Sequence, residues 1–430
     1  MPPPHPRDRI AALLPPCFFG AAVLFFTVGL ALAPFVLPDL LAHFYQAHVL
    51  ALTHTFTLGW LSMAMVGVLY RYVPAITKRH VPHPRLALVQ YGTFVLGVAT
   101  LIVQFWRGDW VVATAAAGVL VVSVALLCAN LWPLLWSAPR HGVAEVGILA
   151  ATALFFSAAV LGTLLAADKT WPFLGGSLLT NLGAHVHLAA VGWVGLTLCA
   201  LSFRFLPAFL LPTLDASDPA RRLVLLLATE VVLLVGTLLL RSRLAAVVGI
   251  ALAVGLGTYV VLVLEVIRTH RMPIDWTGRH AIASAVWCVV AVAAGVALAL
   301  IGAETETGVH LTAAYAAAGL LGWMSNMVIG VSYKLFPGFV AAARTERGRR
   351  VVPMGVLGVR APLQAVVCVL FNIGVAVTAG GLLLGTWGIA LPGTLLLAAG
   401  GLAYAAGTSR TIAFAFTDPR RPWSPLEVLP

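Results

Sequence analysis

Apolar positions in this chain fall in long, nearly unbroken runs. Polar and charged positions gather in short stretches between them. Twelve runs stand out, near 17–37, 45–73, 86–106, 110–136, 144–167, 183–206, 221–240, 243–267, 281–302, 309–336, 361–385 and 388–408. Each reaches the roughly 20 residues that cross a bilayer as a helix. Barrel strands would be about half as long and would alternate, so the runs predict helices. The expected fold is an all-α membrane protein of twelve transmembrane helices in a single polytopic domain over 1–430. Short tails are expected at 1–16 and 409–430.

The polar punctuation of three runs is repeated. Gly59-Trp60, Gly192-Trp193 and Gly322-Trp323 are each followed by similar residues at the same offsets. Seven after the Trp comes Gly67, Ala200 or Gly330; ten after, Tyr70, Phe203 or Tyr333; eleven after, Arg71, Arg204 or Lys334; fourteen after, Pro74, Pro207 or Pro337. Trp60, Trp193 and Trp323 are almost evenly spaced along the chain. Such self-similarity predicts three four-helix units, near 17–136, 144–267 and 281–408, with the motif on helices 2, 6 and 10. The prolines are expected to mark helix ends. The glycines are expected to admit a close-packed helix or a macrocycle, and the tryptophans to serve packing rather than redox chemistry.

Composition agrees: 61% of residues are hydrophobic and 10% charged. The net charge of +11 does not point to nucleic acid. Of the 26 Lys and Arg residues, 22 lie in alternate loops, at the two ends, or at the basic ends of helices 2, 6 and 10. The exceptions are Arg107, Lys169, Arg241 and Arg243. This asymmetry predicts cytoplasmic termini. Arg344, Arg347, Arg349 and Arg350 are expected in a cytoplasmic loop facing lipid headgroups, a regulatory basic patch being the alternative. The five cysteines lie in apolar stretches without a C-x-x-C pair, which suggests neither covalent haem attachment nor a thiolate cluster. The first run lacks a small-residue cleavage site, so it is expected to be retained.

Candidate chemistry rests on histidines. His5, His80, His83, His141, His270 and His280 fall in or beside the cytoplasmic loops and read as surface residues. His43, His48, His54, His185, His187 and His310 gather at the opposite side, each before its Gly-Trp. His54 and His187 sit six residues before a Trp, about 9 Å outward along a helix. Intramembrane histidine is costly unless paired or ligating. Imidazole suits haem iron, copper, zinc and nickel. The plain alternative is helix-to-helix hydrogen bonding. His185 and His187, two apart, point about 200° from each other on a helix and would serve two sites. His48 reads as a polar cap near the interface. Glu230, alone in the seventh run, is either a protonated hydrogen-bonding group or a proton-transfer station. Asn130 and Asn326 read as packing groups. Asp109, Asp168, Glu304 and Glu306 lie in outer loops, where they could receive a basic cytochrome.

The segments Tyr45-Gln-Ala-His-Val-Leu-Ala-Leu-Thr-His54 through Pro74, and His185-Val-His-Leu-Ala-Ala-Val-Gly-Trp193 through Pro207, resemble subunit I of the haem-copper oxidase and nitric oxide reductase superfamily. The resemblance is to small subunit-I-like proteins, with weaker similarity to NnrS-type haem-copper membrane proteins. The resemblance covers the helical span and implies a bacterial inner-membrane location. It also departs from the family. The helix 10 His-x-His falls here on Tyr315 and Ala317, and residues 221–240 hold no histidine pair, so the binuclear copper centre is not expected. In the family, helix 10 sends one histidine into each of two pores. If helix 6 does the same here, His54 and His185 would clamp one haem b. His187 would face Tyr315 and His310 in a more open second site for five-coordinate haem or copper.

The function implied is binding or reducing a diatomic gas, nitric oxide first, or electron transfer through b-type haem. Turnover would need an external donor such as a cytochrome c or cupredoxin, because the chain carries no copper-A or cytochrome c domain. Two other classes stay open: a transporter for a small solute or metal that uses Glu230, and an assembly or sensor protein that holds haem or copper.

Overall fold

The computed structural model describes residues 6–139 and 141–417, with side chains from residue 11 onward; the outermost parts of both expected tails lie outside that range. Among the described residues, twelve helices are long and apolar enough to cross a membrane. They are α1 (Ala11–Ala42), α2 (Ala47–Thr77), α3 (Pro84–Arg107), α4 (Trp110–Trp136), α5 (Val143–Asp168), α6 (Leu178–Leu210), α7 (Ser217–Leu239), α8 (Leu244–Arg268), α9 (Trp276–Ile301), α10 (Glu306–Glu346), α11 (Met354–Leu383) and α12 (Trp387–Ala413). No strand occurs among them. The outward faces show Leu24, Phe35, Leu240 and Leu300, each largely exposed. Apolar side chains so bare around the whole bundle suit lipid, not water. The three most enclosed spans are α2, α6 and α10.

Each of these three spans changes pitch at its Gly-Trp. The turns Thr55–Ser62, His187–Gly195 and Ala317–Ser325 are π-helical. A hydroxyl helps to hold the wider turn in two of them. Ser62 Oγ donates to the Thr57 carbonyl and Ser325 Oγ to the Leu320 carbonyl, both at 2.7 Å. At the glycine before each Trp the preceding span packs close. A Cβ added there would strike Phe25 of α1 at Gly59, Leu154 of α5 at Gly192 and Trp287 of α9 at Gly322. The space therefore admits a helix, not a macrocycle.

The tryptophans join the three spans to one another. Trp193 Nε1 donates to Ser62 Oγ at 2.8 Å, and Trp60 Nε1 to Ser325 Oγ at 3.1 Å. The third link would run from Trp323 to position 195, which is Gly195. A Cβ there would lie 3.1 Å from the Trp323 ring, yet no hydroxyl is present, and Trp323 Nε1 is buried without a partner.

Three expectations need correction. The prolines do not end their helices: Pro74, Pro207 and Pro337 lie inside them. The chain leaves α2 and α6 only at Lys78 and Leu211, both left-handed, and α10 runs on to Glu346. Arg344 does not face headgroups. It is fully buried, and its guanidinium donates to the carbonyls of Arg350 and Thr417, both at 2.7 Å, pinning the end of α10 beneath α12. His280 is not a surface residue. It is fully enclosed on α9, with Nδ1 2.9 Å from Asn326 Oδ1, and Asn326 is bonded in turn to Asn372 of α11. In the last two cases an inward-facing polar group found a partner far away in sequence.

Candidate functional site: a histidine pair in a hollow bundle

His54 stands on α2 immediately before its π turn. Its Nδ1 lies 2.8 Å from the Leu50 carbonyl. A carbonyl only accepts, so Nδ1 carries the proton and Nε2 keeps its lone pair. His185 on α6 repeats the arrangement with a partner from another span, the Ala158 carbonyl of α5 at 3.1 Å. A backbone carbonyl that fixes one imidazole nitrogen sets the tautomer and aims the other, the usual outer support of a metal-bound histidine.

The two rings come together. Their centres are 6.4 Å apart and their planes differ by 20°. Two imidazoles bound to opposite sides of one iron, with bonds of about 2 Å, would place their ring centres about 6 Å apart. Both rings line a cavity walled by α2, α3, α4, α5 and α6, including Phe94, Phe105, Trp110 and Trp193. It holds about 930 Å³ of empty space, counting the part open to the outside. Trp193 forms one wall, stacked on Phe155 at 4.4 Å and 4°. Gly162 of α5 makes room for His185, since a Cβ there would stand 2.7 Å from its Cε1. Apolar walls, two parallel imidazoles and a glycine cradle fit a flat, metal-bearing macrocycle better than a bare ion. Among the described residues, no three His, Cys, Asp or Glu side chains converge as an ion site.

Lys169 Nζ lies over the Tyr45 ring at 4.3 Å and the Trp110 ring at 5.5 Å. Both rings belong to the cavity wall. Burial pushes the Lys169 ammonium below its ordinary pKa, while neighbouring Asp168 pulls it back up. Burial, then Asp168, raises the Tyr45 phenol.

The remaining candidates lie apart from this pair. His187 makes a 2.7 Å bond from Nδ1 to the Gly183 carbonyl but does not line the cavity. Tyr315 packs beside Gly295 of α9. His310 packs against Gly385, between α11 and α12, with Nδ1 buried and unbonded. His48 pairs with Asp39 at 2.6 Å and leaves 43% of its side chain exposed. Glu230 of α7 is buried against Gly255 of α8, with Oε2 unpaired. Asp109 accepts from the Val112 amide at the start of α4, and Asp168 from the amides of Phe173 and Leu174, so both carboxylates organise loops. The π turns escaped the sequence reading. Their one local trace is the Ser two residues after Trp60 and Trp323, which looks like any small polar residue until the turn is seen.

Fold and site define a multi-pass helical membrane protein with a histidine pair inside an aromatic-walled cavity. No known protein-family profile matches this sequence, and no curated protein is significantly similar to it.

Proposed function

We propose that the chain is a b-type haem-binding membrane protein built of three four-helix units, with His54 and His185 as axial ligands of one haem and an electron-transfer role. The observation that carries this reading is the spacing of two nearly parallel imidazoles, each with Nδ1 held by a carbonyl, across one apolar cavity. A bound haem supplies a one-electron couple between ferric and ferrous iron. Both His54 and His185 would hold the haem iron, which favours electron transfer over gas binding at this place. The Leu50 and Ala158 carbonyls would fix the rings, and the aromatic walls would exclude water. Copper has no three-ligand place among the described residues and is not part of the proposal. The three-unit reading draws support from the three π turns and the Trp-to-Ser links between them. The distribution of basic residues favours cytoplasmic termini, with a bacterial inner membrane as location and an external cytochrome c or cupredoxin as electron donor.

A second reading rests on register. His187 bonds the Gly183 carbonyl just as His54, its counterpart on α2, bonds that of Leu50. Tyr315 packs beside Gly295 of α9 as His185 packs beside Gly162, the equivalent glycine of α5. The space between α6 and α10 is then the counterpart of the histidine-pair cavity, with one imidazole in place of two. A single axial histidine there would suit nitric oxide or oxygen.

The test is a pyridine-haemochrome assay and a reduced-minus-oxidised spectrum of detergent-purified protein. A b-type, low-spin spectrum that disappears in His54→Ala and His185→Ala but survives in His187→Ala is the expected result. Folded protein without haem would turn attention to transport and to Glu230. In that case Glu230→Gln should abolish proton-coupled uptake.

A further inference from the structure

Lys169 does not itself line the histidine cavity, but its ammonium rests on two rings of the cavity wall. It follows the last residue of α5, and its Nζ rests on the faces of Tyr45 and Trp110. No carboxylate lies within ion-pair range of it among the described residues. The nearest acidic neighbour in sequence, Asp168, attracts the ammonium without pairing with it, since its Oδ1 accepts from the Phe173 and Leu174 amides at 2.7 and 2.6 Å. The Lys169 side chain is exposed, and an ammonium with no carboxylate in contact is a binding group for an anion. Cation–π contact with two rings holds the ammonium in place without neutralising it. The cavity beside it is apolar and aromatic, so the anion it meets should be the charged edge of an otherwise apolar molecule.

Haem b is such a molecule, with a hydrophobic macrocycle and two carboxylates along one edge. We propose that Lys169 binds a propionate carboxylate of the haem held between His54 and His185, and so fixes which edge points outward. The inference rests on the haem reading and deepens it. A cation at the propionate edge also favours the ferrous state, whose iron-porphyrin core carries one positive charge fewer. Lys169 is thus a positioning residue that also raises the reduction potential.

The experiment uses the full-length protein in detergent, as wild type, Lys169→Met and Lys169→Arg. Haem loss is followed by transfer to apomyoglobin, and the midpoint potential by redox titration. Both are repeated after reconstitution with haem b dimethyl ester, whose propionates carry no charge. With haem b, Lys169→Met should lose haem on the order of tenfold faster, as expected for a lost charge-assisted contact, and its potential should fall. Lys169→Arg should stay near wild type. With the ester, wild type and Lys169→Met should behave alike. Equal loss rates and potentials for wild type and Lys169→Met with haem b would overturn the proposal. So would a Lys169→Met effect that persists undiminished with the ester, because the cation would then serve a lipid phosphate or the rings alone. Wild type that binds no haem would overturn both this inference and the reading beneath it.

Discussion

Two bundles of this molecule are walled by aromatic rings and differ in what those rings enclose. Between α1, α2, α11 and α12, Phe26 fills the middle: its ring meets Trp60 at 4.4 Å, Tyr404 at 5.9 Å, Phe371 at 6.0 Å and Phe56 at 6.3 Å. Between α2 and α6, Trp193 and Phe155 stack as tightly as Trp60 and Phe26 do, yet the space outward of them stays open. Gly162 and the two imidazoles stand there in place of large side chains. Helical membrane interiors close up by default, since every unfilled void forfeits dispersion contacts. A cavity bordered by polar nitrogens is therefore a feature that the sequence specifies, not a packing defect.

On the proposed haem reading, His54→Ala and His185→Ala should break this contrast most sharply. Losing an outer partner of a metal ligand costs about 10–100-fold in affinity, and losing the ligand itself should cost more. Haem content per protein reads this out, with the fold checked by gel filtration. Next in size is Phe26→Ala, which should destabilise the filled bundle by about 3–5 kcal/mol. Phe94→Ala, which enlarges an existing cavity, should cost less; thermal unfolding of the haem-free proteins in one detergent gives the order. Equal costs would mean that the histidine cavity is closed in solution. Gly162→Val should push His185 aside and lower haem affinity by roughly tenfold, the scale of a lost orienting contact, with little change in melting temperature. A haem content equal to wild type would show that His185 does not need that cradle. Ser62→Ala strips the hydroxyl from both Trp193 Nε1 and the Thr57 carbonyl. Leaving buried groups unpaired costs about 1–3 kcal/mol. Ser325→Ala should match it, whereas position 195 has no hydroxyl to lose.

His280 sharpens the comparison further. Like His54, it is an enclosed imidazole with one nitrogen bonded, but its Nδ1 meets Asn326 in a packed network and its Nε2 is buried without a partner. No cavity residue surrounds it. The residue type is the same in both; the space beside the free nitrogen separates a structural histidine from a candidate ligand.

The chain by itself determined the twelve spans, because a run of apolar residues is local and a bilayer demands no more. Most span ends fell within a few positions of those drawn from the runs. The apolar pattern failed where α10 continues to Glu346, because the buried Arg344 looks like a loop residue until its carbonyl partners are in place. The sequence also marked the outer histidines as unusual and set the register of the Gly-Trp motif. The apolar pattern alone does not say which histidines meet; only the family resemblance implied that His54 pairs with His185. His54 and His185 lie on different spans, far apart along the chain, and their pairing depends on how α2, α5 and α6 cross. A π turn beside His54 changes the rotation per residue, so angles reckoned on an ideal α-helix do not carry across it. The Asp39 clamp on His48, the enclosure of His280 and the place of Lys169 over Tyr45 were decided the same way. Each depends on distances between helices, which no single stretch of sequence encodes.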